Sequence, residues 1–405
     1  MKHLLVCLLL TAGIFYSCDK TETVEPFPEL MGSDLEFQSS LIDYGLNSFQ
    51  NVVSEGDDNV LISPLSLSTA LYMTMTGTGG ETVEDFRTAL KLDKFYPDEV
   101  DEKYKALAER LIPKNEGTEL GNHNSVFHYP LLVSLDEGFD ARVVDNYNAE
   151  VISADFSQPS TLDQINDWVN EKTSGRIEKI LNEIRSDEAI FLINALFFKS
   201  DWKQGFLPIL TQEKPFTKMD GTVIDVSMMS SDDQRSHYIG DDFSAMDLMF
   251  IDDEYSMTFI RPNTETVNDF VLGFNDTEFL DFYLDLYDNK LSEGRLQTFL
   301  PKFEIASKKN MADILKEMGM TTVFDSADLT RMGEFAGNTY LTRVLHDTFL
   351  KIDEKGAEGA AVTAVGVGVE SVPPTIDFNV PFLFILRHVE SNTPIFIGKC
   401  GNPQE

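Results

Sequence analysis

The sequence PFLFILRHVESNTPIFIGKCGNP, residues 381–403, consists of two apolar runs on either side of a short polar stretch. Both runs are rich in Phe, Ile and Leu, which are common in strands that are buried on both faces. The polar residues 390–393 have the composition of a turn. The C-terminal end of the chain is therefore predicted to form a buried β-hairpin within a large sheet.

Helix patterns dominate the N-terminal half of the chain. Apolar residues recur with helical periodicity over 37–52 and 64–75, and Ser63, followed by proline, predicts an N-cap for the second of these helices. Residues 162–181 also contain a helical apolar face, in which we expect Trp168 to pack in the core.

Strand patterns dominate the C-terminal half. An apolar run rich in Phe and Ile covers 189–202, and further strand-like segments cover 256–263 and 295–305. No low-complexity linker or Pro/Gly-rich boundary interrupts the chain after about residue 35. We therefore predict an α+β fold in a single domain, residues 36–405.

Composition and charge exclude several classes of partner. The 405 residues are 42% hydrophobic, which is enough for a large core, and the formal net charge is -36. A surface of this charge repels DNA and RNA, so we expect no nucleic-acid partner. The stretch after Glu81 mixes both signs of charge and has no dense basic stripe, so we expect no heparin-type activation.

The N-terminus has the pattern of a targeting segment. Residues 1–17 combine Lys2 with an apolar run that is too short to span a bilayer, and Cys18 is followed by polar residues. The segment resembles a bacterial lipoprotein signal, in which the cysteine is lipidated; secretion without lipid is the alternative. Residues 18–35 would then be a polar tether. We expect an extracytoplasmic protein, anchored by Cys18 to the bacterial envelope, at the surface or the periplasmic face of the outer membrane, or released as an extracellular protein.

Cysteine usage agrees with stability that comes from packing alone. Cys7 would leave with the signal and Cys18 would carry the lipid, so Cys400 has no partner for an intramolecular disulfide. We expect Cys400 to be a buried structural thiol.

No motif for enzyme chemistry is present in the sequence. It contains no His-Glu-x-x-His, no Gly-x-Ser-x-Gly, and no His or Cys cluster with metal-ligand spacing. The Gly-rich residues 77–82 do not continue as a nucleotide-binding loop. We therefore expect no enzyme activity, no cofactor and no metal site.

Five long segments resemble the serpin family of serine protease inhibitors, and they occur in the family's order. They are NVLISPLSLSTALYMTMTGTGGET (59–82), INDWVNEKTSGRI (165–177), INALFFKSDWKQGF (193–206), LPKFEIASKKNMADILKEMGMTTVFDSADLTRM (300–332) and the C-terminal hairpin with the residues before it (378–403). The resemblance implies a monomer with three β-sheets, eight to nine helices and an exposed reactive-centre loop near the C-terminus.

The segment EKGAEGAAVTAVGVGVESVPP, residues 354–374, matches that loop. In the family, the fifteenth residue before the cleaved bond is a hinge glycine, where the first residue counted is the one whose carbonyl is attacked. Gly356 matches this glycine. A proline pair that is common just after the bond matches residues 373–374. Both matches imply a reactive bond between Glu370 and Ser371.

The same loop has the alternation of a strand. One set of alternate residues is small or β-branched throughout and could be buried: Ala357, Gly359, Ala361, Thr363, Val365, Val367 and Val369. The other set contains Glu358 and Glu370 and could face solvent. The resemblance implies that the loop inserts into the main sheet after a serine protease cuts it, so that the covalent acyl-enzyme is trapped.

The hinge composition favours inhibition. Non-inhibitory relatives tend to carry bulky or charged residues or prolines there, whereas this hinge is mostly small. Its residues are Glu354, Gly356, Ala357, Glu358, Gly359, Ala360, Ala361 and Thr363. A non-inhibitory binding or carrier lipoprotein on the same scaffold remains the alternative.

The residue at the reactive bond indicates the target protease. Glu370 as bait selects a glutamyl endopeptidase, whereas cleavage one residue earlier, after Val369, suits an elastase-like or subtilisin-like enzyme. No Lys or Arg lies between Gly356 and Pro374, which disfavours trypsin-like targets.

Two further groups of residues match positions of the family. A polar cluster beneath the main sheet, where its strands must part, is matched by Ser63, Ser66, Asn194 and His346. The upper end, where insertion starts, is matched by Trp202, Lys302 and Glu354. We expect an ion pair between Lys302 and Glu354.

Overall fold

The computed structural model describes residues 30–357 and 372–404. Within those ranges it contains ten α-helices: α1 (Ser33–Ser54), α2 (Pro64–Thr76), α3 (Thr82–Ala89), α4 (Pro97–Arg110), α5 (Glu137–Tyr147), α6 (Pro159–Lys172), α7 (Val267–Leu272), α8 (Asp276–Asp285), α9 (Ala312–Glu317) and α10 (Thr322–Asp325). The resemblance implied eight to nine. The difference lies in short helices such as α10, which has four residues.

The same ranges contain seventeen strands: β1 (Val60–Ile62), β2 (Thr118–His128), β3 (Val133–Leu135), β4 (Ala149–Ser153), β5 (Ile190–Asp201), β6 (Gln212–Thr217), β7 (Val223–Ile239), β8 (Phe243–Met249), β9 (Tyr255–Pro262), β10 (Ser292–Pro301), β11 (Phe303–Asn310), β12 (Gly333–Phe335), β13 (Leu345–Ile352), β14 (Gly356–Ala357), β15 (Thr375–Asp377), β16 (Phe382–His388) and β17 (Thr393–Cys400). Helices early and strands late confirm the predicted α+β fold.

The helix α2 is buried along almost its whole length, and its sequence explains its start. Ser63 is the predicted N-cap, and its Oγ accepts a hydrogen bond from the Ser66 backbone N–H at 3.1 Å. Pro64 occupies the first helical position, where its missing N–H costs nothing. Nearly every residue of α2 is buried, which is expected of a helix that is apolar all round.

The helix α1 begins earlier than the apolar pattern predicted. It starts at Ser33, inside the stretch 18–35 that was expected to be tether, and it continues to Ser54. Asp34 and Glu36 lie in its first turn, where negative charge is favourable at the positive end of the helix dipole. Polar residues therefore extend this helix beyond the part that packs in the core.

The predicted C-terminal hairpin lies in a nine-stranded sheet. Its order is β1-β17-β16-β9-β8-β7-β10-β15, and β6 also pairs with β7. Every residue of β16 and β17 is buried. The turn covers residues 389–392, one position earlier than predicted, and Asn392 adopts the left-handed conformation there with φ 51°.

The remaining strands form three smaller sheets, so the described residues contain four sheets in place of the three implied. One has the order β14-β5-β2-β4, one pairs β11 with β13, and one pairs β12 with β3. The family resemblance implied one main sheet that contains both β5 and β13. Here that sheet is divided in two, because no backbone hydrogen bond in the described ranges joins β5 directly to β13. We call the space between these two strands the β5–β13 gap.

The helix α6 packs on the outer side of the four-stranded sheet. Trp168 is 8% exposed and belongs to a second hydrophobic cluster with Phe127, Ile165 and Ile193, which confirms its predicted place in the core. The helix ends at Lys172, and Gly175 follows with φ 82°.

The expectation for Cys400 is tested by the described residues. Cys400 is fully buried, and burial raises the pKa of its thiol well above the ordinary value, as expected of a structural cysteine. In the ranges 30–357 and 372–404, no helix combines the length and the apolar character that a bilayer crossing requires.

Candidate functional site

The hinge of the predicted loop begins a strand at the upper end of the β5–β13 gap. Gly356 pairs with Asp201, and Ala357 pairs with Ser200, both antiparallel to β5. Ala357 is 1% exposed. Because β13 ends at Ile352 and the chain then reverses, β14 enters the gap between β13 and β5.

Gly356 is required by the close approach of β14 to β5. Its φ is 154°, and a Cβ atom at this position would lie 2.2 Å from the Ser200 carbonyl oxygen. Glycine is the only amino acid without a Cβ atom, so steric overlap explains why a glycine stands at this hinge position in this chain.

Trp202 holds the turn between β13 and β14. Its backbone N–H donates to the Lys355 carbonyl at 2.6 Å, and its indole Nε1–H donates to the Asp353 carbonyl at 3.1 Å. The ring stacks on Phe250 with a centroid distance of 4.5 Å. Trp202 thus contacts the turn that leads into β14.

The ion pair expected between Lys302 and Glu354 is present. Lys302 Nζ lies 2.9 Å from Glu354 Oε2, and the Thr211 hydroxyl donates to Glu354 Oε1 at 2.8 Å. Burial raises the pKa of Glu354, but the hydrogen bonds from Lys302 and Thr211 outweigh it, so the net pKa is below the ordinary value. The carboxylate is therefore held in its charged form beside the hinge.

The polar cluster beneath the gap is formed in part. The Ser63 backbone N–H donates to His346 Nε2 at 2.9 Å, so this nitrogen is unprotonated. Burial lowers the pKa of His346 to about 4. Ser63, Ser66 and His346 thus form one connected group through the cap of α2.

Asn194 belongs to a different group of hydrogen bonds. Its Nδ2 donates to Asn122 Oδ1 at 2.6 Å and to Asn124 Oδ1 at 2.8 Å, both on β2. Its own Oδ1 is buried and has no partner in the structure. The four predicted residues therefore lie on three elements around the β5–β13 gap, with Asn194 on β5, His346 on β13, and Ser63 and Ser66 at the start of α2.

A cavity of about 330 Å³ occupies the lower part of the gap. Its wall includes residues 188–194 on one side, residues 339–346 on the other, and Ser66 and Leu67 of α2 beneath. The walls are mainly apolar, and His346 and Asn194 are among their polar residues. A slot of this shape could accept one extended chain between β5 and β13.

Several predicted residues lie outside the described ranges. They are Cys18, Glu358, Gly359, Ala360, Ala361, Thr363, Val369, Glu370 and Ser371. Among the residues from 30 to 357 and from 372 to 404, no group of three or more His, Cys, Asp or Glu side chains is arranged to hold a metal ion.

Sequence reasoning missed several residues of the site. Asn122 and Asn124 stand two apart on β2 and so share one face, a spacing that could have predicted their common partner. Thr211, Glu188 and Arg343 gave no such signal, because each meets its partner through contacts distant in sequence.

Comparison with known proteins assigns this architecture. A family model described as "Serpin (serine protease inhibitor)" matches residues 39–403. The chain belongs to the serpin family. The description of this family names inhibition of serine proteases and no catalytic activity.

Relatives of this serpin extend over almost its full length. It is 28% identical to bovine serpin A3-6 over 375 residues, which cover 91% of this chain and 88% of the relative. It is 30% identical to mouse antithrombin-III over 377 residues, covering 89% and 80%. The crystal structure of the thermophilic serpin tengpin in its native state has a TM-score of 0.83 at 29% identity, covering 93% of this chain and 96% of tengpin.

Proposed function

We propose that this serpin is a suicide-substrate inhibitor of serine proteases that acts by inserting its cut loop into the β5–β13 gap. The observation that carries the proposal is the pairing of Gly356 and Ala357 with β5 above an open, mainly apolar slot. The first ladder positions of an inserted strand are already occupied, and the next positions along β5 lie below them.

The register of β14 supports the alternation read from the sequence. Ala357 is buried, and each second residue after it points to the same face in a continued strand. Those residues are small or β-branched from Gly359 to Val369. In the same register Thr363 would come opposite Asn194, whose buried side-chain oxygen lacks a partner.

The chemistry follows from cleavage of a peptide bond. The protease serine oxygen bonds to the Glu370 carbonyl carbon, the C–N bond to Ser371 breaks, and the new amine leaves with a proton. Insertion then moves the acyl-enzyme by as much as ~50 Å, the length of fifteen residues in a strand. Distortion of the attached protease removes its oxyanion hole, so deacylation stops.

The free energy released when the loop inserts as a strand is sufficient to distort the attached protease. A buried valine contributes about 1.5 kcal/mol or more, and a ladder hydrogen bond about 0.5–1.5 kcal/mol. Over a full strand the sum is on the order of ten kcal/mol before the cost of ordering the chain.

The variant Ala357→Arg tests insertion. An arginine would place a charge at a position that is 1% exposed, so we expect the loop to be cut and released without a trapped complex. Ala106→Arg, at an exposed site on α4, is the matched control. SDS gels with a panel of glutamyl, elastase-like and subtilisin-like proteases measure the complex; an undiminished complex with Ala357→Arg contradicts insertion.

The mass of the released C-terminal peptide identifies the bait residue. A peptide that begins at Ser371 supports Glu370 and a glutamyl endopeptidase. A peptide that begins at Glu370 supports Val369 and an elastase-like or subtilisin-like enzyme.

A carrier function is the second candidate. The structure of human thyroxine-binding globulin, whose name states its ligand, is similar to this chain with a TM-score of 0.83 at 25% identity. Unfolding temperature separates the two functions: a loop-cut inhibitor unfolds at a much higher temperature than the intact protein, whereas a non-inserting carrier does not.

The location proposed for this serpin rests on residues 1–35 of the sequence. Cys18 carries a lipid that anchors the protein outside the cytoplasm, and residues after it act as a tether. Fractionation of cells that express Cys18→Ala tests this, since loss of the lipid releases the protein from the membrane fraction. An unchanged membrane fraction contradicts the anchor.

A further inference from the structure

A buried ion pair crosses the lower end of the β5–β13 gap. Arg343 Nε lies 2.8 Å from Glu188 Oε1, and Arg343 Nη2 donates to Glu188 Oε2 at 2.8 Å. The Glu188 side chain is 1% exposed and that of Arg343 is 10% exposed. We call these two residues the lower clasp.

The lower clasp joins the two halves of the divided sheet. Glu188 stands two residues before β5 begins, and Arg343 stands two residues before β13 begins. Both residues line the cavity. Higher in the gap the two strands make no direct backbone hydrogen bond with each other in the described ranges, so side chains make the connection at this end.

Neighbouring contacts hold the clasp in place. The Arg185 backbone N–H donates to Glu188 Oε2 at 2.7 Å, and the Thr342 hydroxyl donates to Glu188 Oε1 at 3.2 Å. Arg343 Nη2 also donates to the Glu183 carbonyl at 2.8 Å. Because the carboxylate and the guanidinium each have additional partners, separating the pair disturbs a connected network and not one isolated contact.

The register of β14 places the clasp at the end of the insertion path. Gly356 pairs with Asp201 and Ala357 with Ser200, and each further residue of a continued strand moves one position down β5. Val369 then comes opposite Glu188. The last residues before the reactive bond therefore reach the clasp only when insertion is almost complete.

We propose that the Glu188–Arg343 ion pair controls the last stage of insertion by resisting separation of β5 and β13 at their lower ends. An inserted strand sets its two neighbours roughly 9–10 Å apart, twice the spacing of adjacent strands. The pair must stretch or separate to allow this, and a buried charge without its partner is unfavourable. The clasp thus slows both loop insertion after cleavage and spontaneous insertion of the uncut loop. This proposal rests on the insertion proposed above.

The test removes both charges together, because removal of one would leave the other buried and unpaired. The variant is Glu188→Gln with Arg343→Met. Intact protein is incubated below its unfolding temperature, and samples are tested for a loop that resists cutting and for a raised unfolding temperature. We expect the double variant to convert to this form about tenfold faster than the wild type, or more.

Two control pairs separate the clasp from general effects of charge and stability. Glu304→Gln with Lys351→Met removes a pair on β11 and β13, with atoms 3.2 Å apart, that does not cross the gap. Asp247→Asn with Arg387→Met removes a buried pair inside the nine-stranded sheet. Both controls should convert at about the wild-type rate.

The outcomes distinguish the two proposals. If cutting the wild-type loop does not raise its unfolding temperature, loop insertion itself is wrong and the clasp has no role in it. If cut wild-type protein gains stability but the clasp variant converts no faster than the controls, the role of the clasp alone is wrong. The same conclusion holds if neither wild type nor variant converts.

Discussion

At the scale of single residues, the hinge shows how a buried carboxylate is held in its charged form by a partner that is itself partly exposed. Glu354 is the last acidic residue before the strand β14, and its carboxylate receives Lys302 from one side and Thr211 from the other. Lys302 is 39% exposed, so water screens the pair and each contact is individually weak. Together, the contacts of Lys302 and Thr211 with Glu354 fix the point at which the chain reverses.

Replacing Lys302 by alanine tests that role. We expect the free energy of unfolding to fall by about 0.5–1 kcal/mol, because Glu354 loses one of its two side-chain donors. We also expect a larger share of the serpin to be cut as substrate, since the start of β14 is less well fixed. Urea denaturation and the ratio of inhibitor to protease at full inhibition measure the two effects.

Lys316→Ala is the matched control for this prediction. It removes a lysine that pairs with Asp313 at 3.0 Å on α9, away from the hinge. If Lys302→Ala behaves like this control in both measurements, the ion pair with Glu354 has no part in fixing the hinge.

At the scale of elements, the two-residue strand β14 depends on a residue without a side chain. A methyl group at position 356 would overlap the Ser200 carbonyl oxygen, so Gly356→Ala should prevent the pairing of β14 with β5. The expected loss of stability is only about 1 kcal/mol, because two ladder positions are lost. The loss of trapped complex should be much greater, since insertion has to begin at this pair.

Gly337→Ala controls for the general effect of adding a methyl group. A Cβ at position 337 would meet no atom within 4 Å. Trapped complex and urea denaturation are measured for both variants. Equal yields of complex from the two would show that β14 need not form before insertion.

The elements also show what the sequence could and could not predict. The buried hairpin, the helix α2 with its cap, and β5 were predictable because each is determined by apolar spacing and local hydrogen bonds. The division of the main sheet was not, because it depends on whether β5 and β13 meet, and they are more than a hundred residues apart in sequence. For the same reason the contact between Ser63 and His346 could be suggested only by the family resemblance.

Within the site, prediction from the sequence also fails where a contact joins segments that are far apart in the chain. The small residues of the loop and the hinge glycine are local features, so the sequence showed the alternation of a strand. The partners of Asn194 were missed because the family resemblance grouped it with His346, whereas its amide donates to Asn122 and Asn124 of β2. The lower clasp also depends on two distant segments, 183–188 and 342–343, that only the folded chain brings together.

At the scale of the whole molecule, two buried histidines make the fold sensitive to acid. Burial lowers the pKa of His346 to about 4 and that of His388 to about 3. In the unfolded chain both would titrate near the ordinary value of about 6.5. Between these values the unfolded chain binds protons that the folded protein does not, so stability is lost as the pH falls from about 6.5 towards 4.

We therefore expect His346→Gln to change the pH dependence as well as the stability. At pH 7 the variant should be less stable than the wild type, because the hydrogen bond from the Ser63 N–H is weakened. Between pH 7 and pH 4 the difference should shift in favour of the variant by on the order of 2 kcal/mol, because one group no longer takes up a proton on unfolding. Urea denaturation at a series of pH values measures this shift, and His388→Gln should show a shift of the same sign. Parallel curves for wild type and variant would show that His346 is not kept neutral by burial at the floor of the β5–β13 gap.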